Sequence, residues 1–180
     1  RYYFLMNKNF FLIIFFSKFF FLNSSISVES KIVYVDVERI INESIAGKDL
    51  IKKFDNIQKK NSKKFEKRKI ELTTLEKDIV QKKNILSKPD LDKKIKELND
   101  KVKIYKDDVG KSQANFNKIR NDSTTKLVTN INEVLANYAT KNSITMILQK
   151  NSIIIGKTEF DITKQILETI NKKIKSISIN

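Results

Sequence analysis

The sequence predicts an α+β protein that is mainly α-helical, in which a long antiparallel coiled-coil hairpin is inserted in a small β-rich body. Three observations predict this fold. Between residues 47 and 138, apolar side chains return every three or four positions, as on one stripe of a helix. The only proline of the chain, Pro89, falls near the middle of this stretch and would turn the helix back on itself. Short runs rich in β-branched residues lie on both sides of it.

The first 27 residues differ in composition from everything that follows. They hold eight of the twelve phenylalanines and no acidic residue, and residues 10–22 form an apolar run broken by one serine and one lysine. With Met6 as the start, Lys8 as the positive region and residues 25–27 as a small-x-small cleavage site, this segment is predicted to be a secretory signal peptide. The run is short for a membrane span, and a retained anchor is the alternative. We therefore expect an exported protein that is soluble after cleavage.

Residues 28–46 and 139–180 are predicted to form the small body. Three runs in these segments, residues 31–37, 144–148 and 152–155, have the length and β-branched enrichment of strands, and a hairpin-like turn joins the last two. The first strand can reach the others only across the helical hairpin. The arm is therefore predicted to be an insertion in a three-stranded sheet.

A final helix follows this sheet, capped at Asp161 or Thr163, with isoleucines on one face. The sheet would have two open edges and a small core, so we predict that copies of the chain associate through it. The residues expected to serve this oligomerisation are Ile32, Val33, Tyr34, Val35, Ile144, Met146, Ile147, Leu148, Ile153 and Ile155.

The arm itself is predicted at residues 47–138, with its turn at 87–90. Ser87 is a suitable N-cap for the returning helix, and Pro89 falls in its first turn. Polar residues interrupt the apolar stripe, so the two helices should be held together less firmly than in a dedicated zipper. Gly110 lies inside the second helix, where glycine costs about 1 kcal/mol relative to alanine. It is a candidate hinge, and a close contact with the facing helix is the alternative.

Most of the positive charge lies on this arm. The chain carries a net charge of +15, and residues 48–120 alone hold 23 basic and 12 acidic side chains, a net charge of +11. Such a surface attracts polyanions and acidic partners. Lysine outnumbers arginine by 32 to 4, so the bias of an AT-rich genome is an alternative source of part of this charge.

The composition argues against catalysis. The chain has no histidine and no cysteine, which excludes the usual catalytic triads, the common zinc sites and a disulfide framework. The neighbouring Asp107 and Asp108 would point about 100° apart on a helix, a poor geometry for a carboxylate pair. We therefore predict that the protein is not an enzyme, with no catalytic residue, metal or cofactor. Specific nucleic-acid binding is also not favoured, because arginine is scarce and few aromatic residues lie between the lysines.

The ends of the mature chain resemble the Skp (OmpH-like) periplasmic chaperone family. The resemblance rests on residues 31–48, which contain a strand, a Val-Asp pair, Asn-Glu-Ser and Gly-Lys, and on residues 138–148 and 161–163. It implies a jellyfish-shaped homotrimer, in which a β-rich trimerisation body carries three helical arms around a cavity. It also implies an ATP-independent periplasmic holdase, which keeps unfolded outer-membrane β-barrel proteins soluble. Ile45, where the family commonly has proline, and the lysine-rich arms depart from its pattern.

If the chain has such a function, its positive arms would attract acidic clients and anionic partners such as lipid or lipopolysaccharide. Several arm residues are then candidates for contact with a client. The apolar candidates have seam packing as their alternative role, and the basic candidates have a plain solvated face as theirs. The candidates are Phe54, Phe65, Tyr105, Phe116, Lys82, Lys83, Lys88, Lys93 and Lys94. Two other functions stay open for the whole chain: an exported structural coiled-coil protein of the envelope and, less favoured, a basic nucleic-acid-binding protein.

Overall fold

The computed structural model describes residues 30–179, and the predicted signal peptide, residues 1–27, lies outside the described residues. The described part is mainly helical, with two long helices and one pair of short strands, which confirms the predicted fold class. No helix within residues 30–179 combines the length and the apolar character that crossing a bilayer requires. In chain order the elements are β1 (Ile32–Val35), α1 (Val37–Glu43), α2 (Ile45–Lys82), α3 (Lys88–Lys141), β2 (Met146–Gln149) and α4 (Thr163–Lys173).

The arm consists of α2 and α3, which have 38 and 54 residues. At 1.5 Å per residue, α2 alone is about 57 Å long. Ser44 caps α2, because its side chain accepts the backbone N–H of Gly47. Ser87 caps α3 in the same way: its hydroxyl oxygen accepts the N–H of Asp90 and donates to the Asp90 carboxylate. The two helices run antiparallel over most of the length of α2.

The body contains a parallel pair of strands. Ile32 of β1 lies opposite Met146 of β2, and the register continues to Val35 and Gln149. A parallel pair needs a long crossover connection, and the whole arm supplies it. The body end of α3 packs into the same core as the sheet and α4. The buried apolar residues of this core are Val33, Val35, Ile40, Ala46, Leu50, Leu127, Ile131, Val134, Ile162, Ile166, Ile170 and Ile177.

The prediction of a three-stranded sheet is wrong, because the sheet of the described residues has two strands. The first strand ends at Val35 because Asp36 caps a helix in which Val37 is the first residue: the Asp36 carboxylate accepts the N–H of Arg39 at 2.9 Å. The predicted hairpin-like turn is wrong as well. Residues 150–152 form a single 3₁₀ turn, and residues 152–155 do not return along β2. Ile153 is extended but belongs to neither strand of the sheet.

The final helix is attached to β1 through its first residues. The side chain of Asp161 accepts the N–H of Thr163 at 2.9 Å, and the Thr163 hydroxyl accepts the N–H of Asp36 at the same distance. Tyr34 accepts the N–H of Ile162 through its carbonyl oxygen. These bonds hold the start of α4 against the end of β1 and turn its isoleucines into the core.

Candidate functional site

The four aromatic candidates of the arm pair with one another across the hairpin. The rings of Phe54 and Phe116 lie 6.3 Å apart, and those of Phe65 and Tyr105 lie 6.1 Å apart. Both pairs are edge-to-face, with interplanar angles of 88° and 77°. This geometry is favourable for aromatic rings. The rings therefore pack the seam between α2 and α3, which is the role predicted as the alternative to client contact. Each ring is only half-buried.

An ion pair joins the two helices next to the second aromatic pair. The Arg68 guanidinium donates to the Asp108 carboxylate at 2.6 Å and lies 5.7 Å from the centre of the Tyr105 ring. The hydrogen bond from Arg68 holds the pKa of Asp108 below its ordinary value, although burial opposes this. The sequence shows Arg68 only as an interruption of the apolar stripe. In the structure it is a seam residue whose partner is 40 positions away, so the pair helps to set the register of the helices.

Several apolar side chains of the arm lie in solvent, and the sequence prediction missed them. Ile70 and Ile104 are 58% and 55% exposed, and Ile85 in the turn is 82% exposed. Val80 is also exposed. The signal that could have found them is their position: all four fall outside the three-four stripe of the seam. An apolar residue off the stripe has no facing helix to cover it.

A groove runs along one side of the arm beside the ion pair. Its volume is about 650 Å³, and its lining combines apolar residues with charges of both signs. Because the groove is open to solvent along the arm, it suits an extended apolar segment better than a compact ligand. The lining residues are Arg68, Glu71, Leu72, Thr74, Leu75, Asp78, Lys101 and Ile104.

The basic candidates lie around the tip of the arm. Lys82 is the last residue of α2 and Lys83 follows it, whereas Lys88 begins α3 and Lys93 lies in its first two turns; all four are exposed. Lys94 is half-buried. One of these charges is paired, since the Lys82 ammonium lies 2.6 Å from the Asp78 carboxylate four residues earlier. The tip therefore carries an excess of positive charge that ion pairs balance only in part.

Of the ten residues predicted to serve oligomerisation, some are buried in this chain and others are exposed. Val33, Tyr34 and Val35 are buried in the body of this chain, and Ile144, Ile147 and Ile153 are half-buried. The other four, together with Ile154, leave apolar side chains in solvent. This set, called here the exposed apolar surface of the body, consists of Ile32, Met146, Leu148, Ile154 and Ile155.

The exposed apolar surface of the body includes part of one face of the sheet. Ile32, Met146 and Leu148 lie on one face, because side chains alternate along a strand and Ile32 is the register partner of Met146. Ile154 and Ile155, in the loop that follows, are 99% and 92% exposed. Isoleucines this accessible are expensive to leave in water. The surface fits contact with another apolar surface.

Gly110 has open space around it. A Cβ atom built at this position would meet no atom within 4 Å outside the helix's own backbone, so the alternative of a close contact with the facing helix is wrong. The helix α3 continues through Gly110 without interruption. The hinge stays a prediction.

One ionic cluster lies in the body. The Lys150 ammonium is 3.8 Å from the Asp36 carboxylate and 3.5 Å from that of Asp161. Burial raises the pKa of Asp161, but the hydrogen bonds from Thr163 and the charge of Lys150 outweigh it and leave the pKa below its ordinary value. Within residues 30–179, no group of acidic side chains is arranged to hold a metal ion. The cluster joins three elements of the body and is structural.

Comparison with known proteins gives a consistent result. The model of the family described as outer membrane protein (OmpH-like) matches residues 31–170. Among solved structures, one similar chain is described as a candidate outer membrane chaperone (OmpH-like) from Caulobacter crescentus CB15. The two share 13% sequence identity with a TM-score of 0.79, over 84% of this chain and 89% of that one, so the likeness is one of fold. No curated protein sequence is similar enough to count as a match.

Proposed function

The chain belongs to the family of OmpH-like outer membrane proteins, and from this premise we propose that it is an ATP-independent holdase chaperone of the periplasm. Its clients would be unfolded outer-membrane β-barrel proteins, which it would keep from aggregating. The signal peptide predicted at residues 1–27 supports the location. Holding a client in this way needs no cofactor and no chemical step.

The observation that carries this proposal is the distribution of apolar side chains on the arm. Ile70, Ile85 and Ile104 are more than half exposed, Ile85 lies in the turn away from the other two, and each has lysines within three positions in the sequence. A surface of this kind offers many weak contacts of about 1 kcal/mol each in place of one specific pocket. Unfolded chains of different sequence can bind such a surface without being forced into one conformation.

We propose that three copies assemble through the exposed apolar surface of the body. The outer edge of β2 has no strand beside it in the described chain, and residues 153–155 belong to no strand there. If this segment of one copy lay along β2 of the next, Ile154 and Ile155 would leave water. Such a head-to-tail contact closes into a ring when the rotation between copies allows it, and a homotrimer is the ring that the family implies. Three arms of about 57 Å could then enclose a collapsed client.

The positive arms would contribute long-range attraction. Lys83, Lys88 and Lys93 are exposed at the tip and form no ion pair with another described residue. Their field would draw acidic clients towards the arms, and anionic lipid or lipopolysaccharide towards the tip. These contacts are screened over about 8 Å at physiological ionic strength, so they steer the encounter more than they hold the complex.

The test is suppression of aggregation. A β-barrel protein unfolded in urea is diluted into buffer with the purified mature protein, and light scattering is followed. At about one trimer for each client, scattering should fall close to the level of a soluble control. Persistent aggregation at several-fold excess would contradict the holdase function and favour a structural coiled-coil role in the envelope.

A matched pair of variants separates client binding from folding in the same assay. Ile70→Ser with Ile104→Ser removes two exposed apolar contacts, whereas Thr73→Ser with Thr125→Ser changes two exposed positions of the same helices without removing a large apolar group. Only the isoleucine pair should raise the amount of protein needed to prevent aggregation.

A further inference from the structure

The last nine described residues, 171–179, lie beyond the part of the chain that the family model matches. They comprise the end of α4 and a tail without regular secondary structure. This tail is packed against the body. Ile177 is 6% exposed and belongs to the core cluster that contains Leu50, while Ile174 and Ile179 pack against the same cluster.

Polar groups of the tail bond to the first turns of the arm helix α2. The Lys53 ammonium donates to the Ser176 hydroxyl at 2.7 Å and to the carbonyl oxygen of Ile177 at 2.8 Å. The Ser176 hydroxyl in turn donates to the Asp49 carboxylate at 2.6 Å, and Asp49 forms an ion pair with Lys53 at 2.7 Å. Both charged groups are about one-third exposed, so water weakens these bonds only partly.

A second contact reaches the first residue of α2. The first N–H groups of a helix have no partner within the helix, and a side chain or water must satisfy them. Here the side-chain oxygen of Asn171, in α4, accepts the N–H of Ile45 at 2.8 Å. Two side chains therefore cap the start of the arm. Ser44, the residue before α2, accepts the N–H of Gly47, and Asn171 of α4 accepts the N–H of Ile45.

We propose that residues 171–179 form a strap that fixes the root of the arm, residues 45–53 of α2, to the body. The strap bonds to both turns at the root of α2, from Ile45 to Lys53, and its isoleucines lie in the core beneath them. Bending of the arm is thereby confined to positions farther out, and the direction in which the arm leaves the body is set by the strap. This inference concerns the attachment of the arm and does not depend on what the arm binds.

Hydrogen–deuterium exchange of the full mature protein tests the strap. Removing two of the strap's bonding side chains, Asn171→Ala with Ser176→Ala, should make the amides of residues 46–54 exchange about tenfold faster, since each lost bond involves a helix terminus or a charged partner. The core segment 124–135 and the tip 76–95 should keep their rates. The matched control is Asn132→Ala with Ser178→Ala, two exposed residues whose side chains bond to no described group.

A variant in α2 tests the same contact without changing any residue of the tail. Lys53→Met keeps the aliphatic stem but loses the ammonium that donates to Ser176 and Ile177. It should raise exchange in residues 46–54 in the same way. Unchanged exchange there in both variants, or an equal increase in segment 124–135, would overturn the strap, because the first outcome shows no fixation and the second shows only general destabilisation.

Discussion

At the scale of single residues, two glycines of the arm have opposite roles. Gly47 lies in the first turn of α2 and is buried, and a Cβ atom at this position would lie 1.6 Å from the carbonyl oxygen of Ile41. Only glycine lets the start of the arm approach the end of α1 so closely. Gly110, in contrast, faces open space. Glycine at position 47, in the Gly-Lys pair of residues 47–48, therefore has a packing reason that the sequence alone does not reveal.

The first prediction compares the two glycines. Gly47→Ala should lower the free energy of unfolding by about 3 kcal/mol or more, because the α1–α2 junction must shift to admit the methyl group. Gly110→Ala should raise it by about 1 kcal/mol, as expected for alanine in an open helix position. Urea denaturation followed by circular dichroism measures both. A Gly47→Ala protein as stable as wild type would contradict the close packing.

The second prediction concerns acid. The pKa of Asp161 is held below its ordinary value of 3.8 in the folded protein, so its ionised form stabilises the fold above that pH. This contribution is lost as the pH falls through the lower folded-state pKa. Asp161→Asn should therefore destabilise the protein at pH 7 and should make the loss of stability below pH 4 shallower. The matched control is Asp55→Asn, at an exposed position without an ion pair to a described residue.

At the scale of elements, the sequence predicts the arm well and the sheet poorly, for physical reasons. The arm follows from a local three-four repeat and from the capping residues Ser87 and Asp90. The sheet depends on contacts that the sequence does not display. Val37 has strand propensity, but the Asp36 side chain caps a helix there. Ile154 looks like a strand residue, yet no strand of the described chain lies beside it.

The same limit applies to the site. The aromatic candidates follow from the apolar stripe, and the structure places all four in the seam. A position on the stripe identifies a residue that packs the hairpin, so it cannot by itself identify one that faces a client. Ile70 and Ile104, in contrast, lie off the stripe, and that position is the sequence signal for their exposure. The Arg68–Asp108 pair required the register of the two helices.

The third prediction follows from this division between seam and surface. Phe65→Ala should lower the free energy of unfolding by about 2 kcal/mol, since the ring is half-buried against Tyr105. Ile70→Ser with Ile104→Ser should change stability by less than about 0.5 kcal/mol but weaken client binding about tenfold. Fluorescence titration with an unfolded β-barrel protein measures the binding. Restoring apolar area with Ile70→Leu and Ile104→Leu should restore the affinity.

The fourth prediction concerns the bending of the arm. If Gly110 is a hinge, Gly110→Ala should slow hydrogen exchange along residues 100–120 several-fold, because alanine favours the closed helix by about 1 kcal/mol. Residues 124–135, in the core, serve as the internal control. Equal rates in the two proteins along residues 100–120 would remove the hinge and leave Gly110 as a tolerated glycine.

At the scale of the whole molecule, one described chain leaves part of its apolar surface in water. Ile32, Met146 and Leu148 lie at the edge of a sheet with only two strands, and the two isoleucines that follow are almost fully exposed. Helices cover one face of this pair of strands, whereas Ile32, Met146 and Leu148 on the other face stay in solvent. The arms have the opposite character, with isolated apolar residues among charges. Assembly through the body and binding by the arms would thus use different surfaces.

Both the assembly and the client binding can be tested by sedimentation velocity of the purified mature protein, alone and with a urea-unfolded β-barrel protein. We expect an elongated trimer whose frictional ratio is well above that of a globule, and a soluble complex of one trimer with one client after dilution of the urea. A monomer that sediments alone while the client pellets would contradict both the assembly and the function.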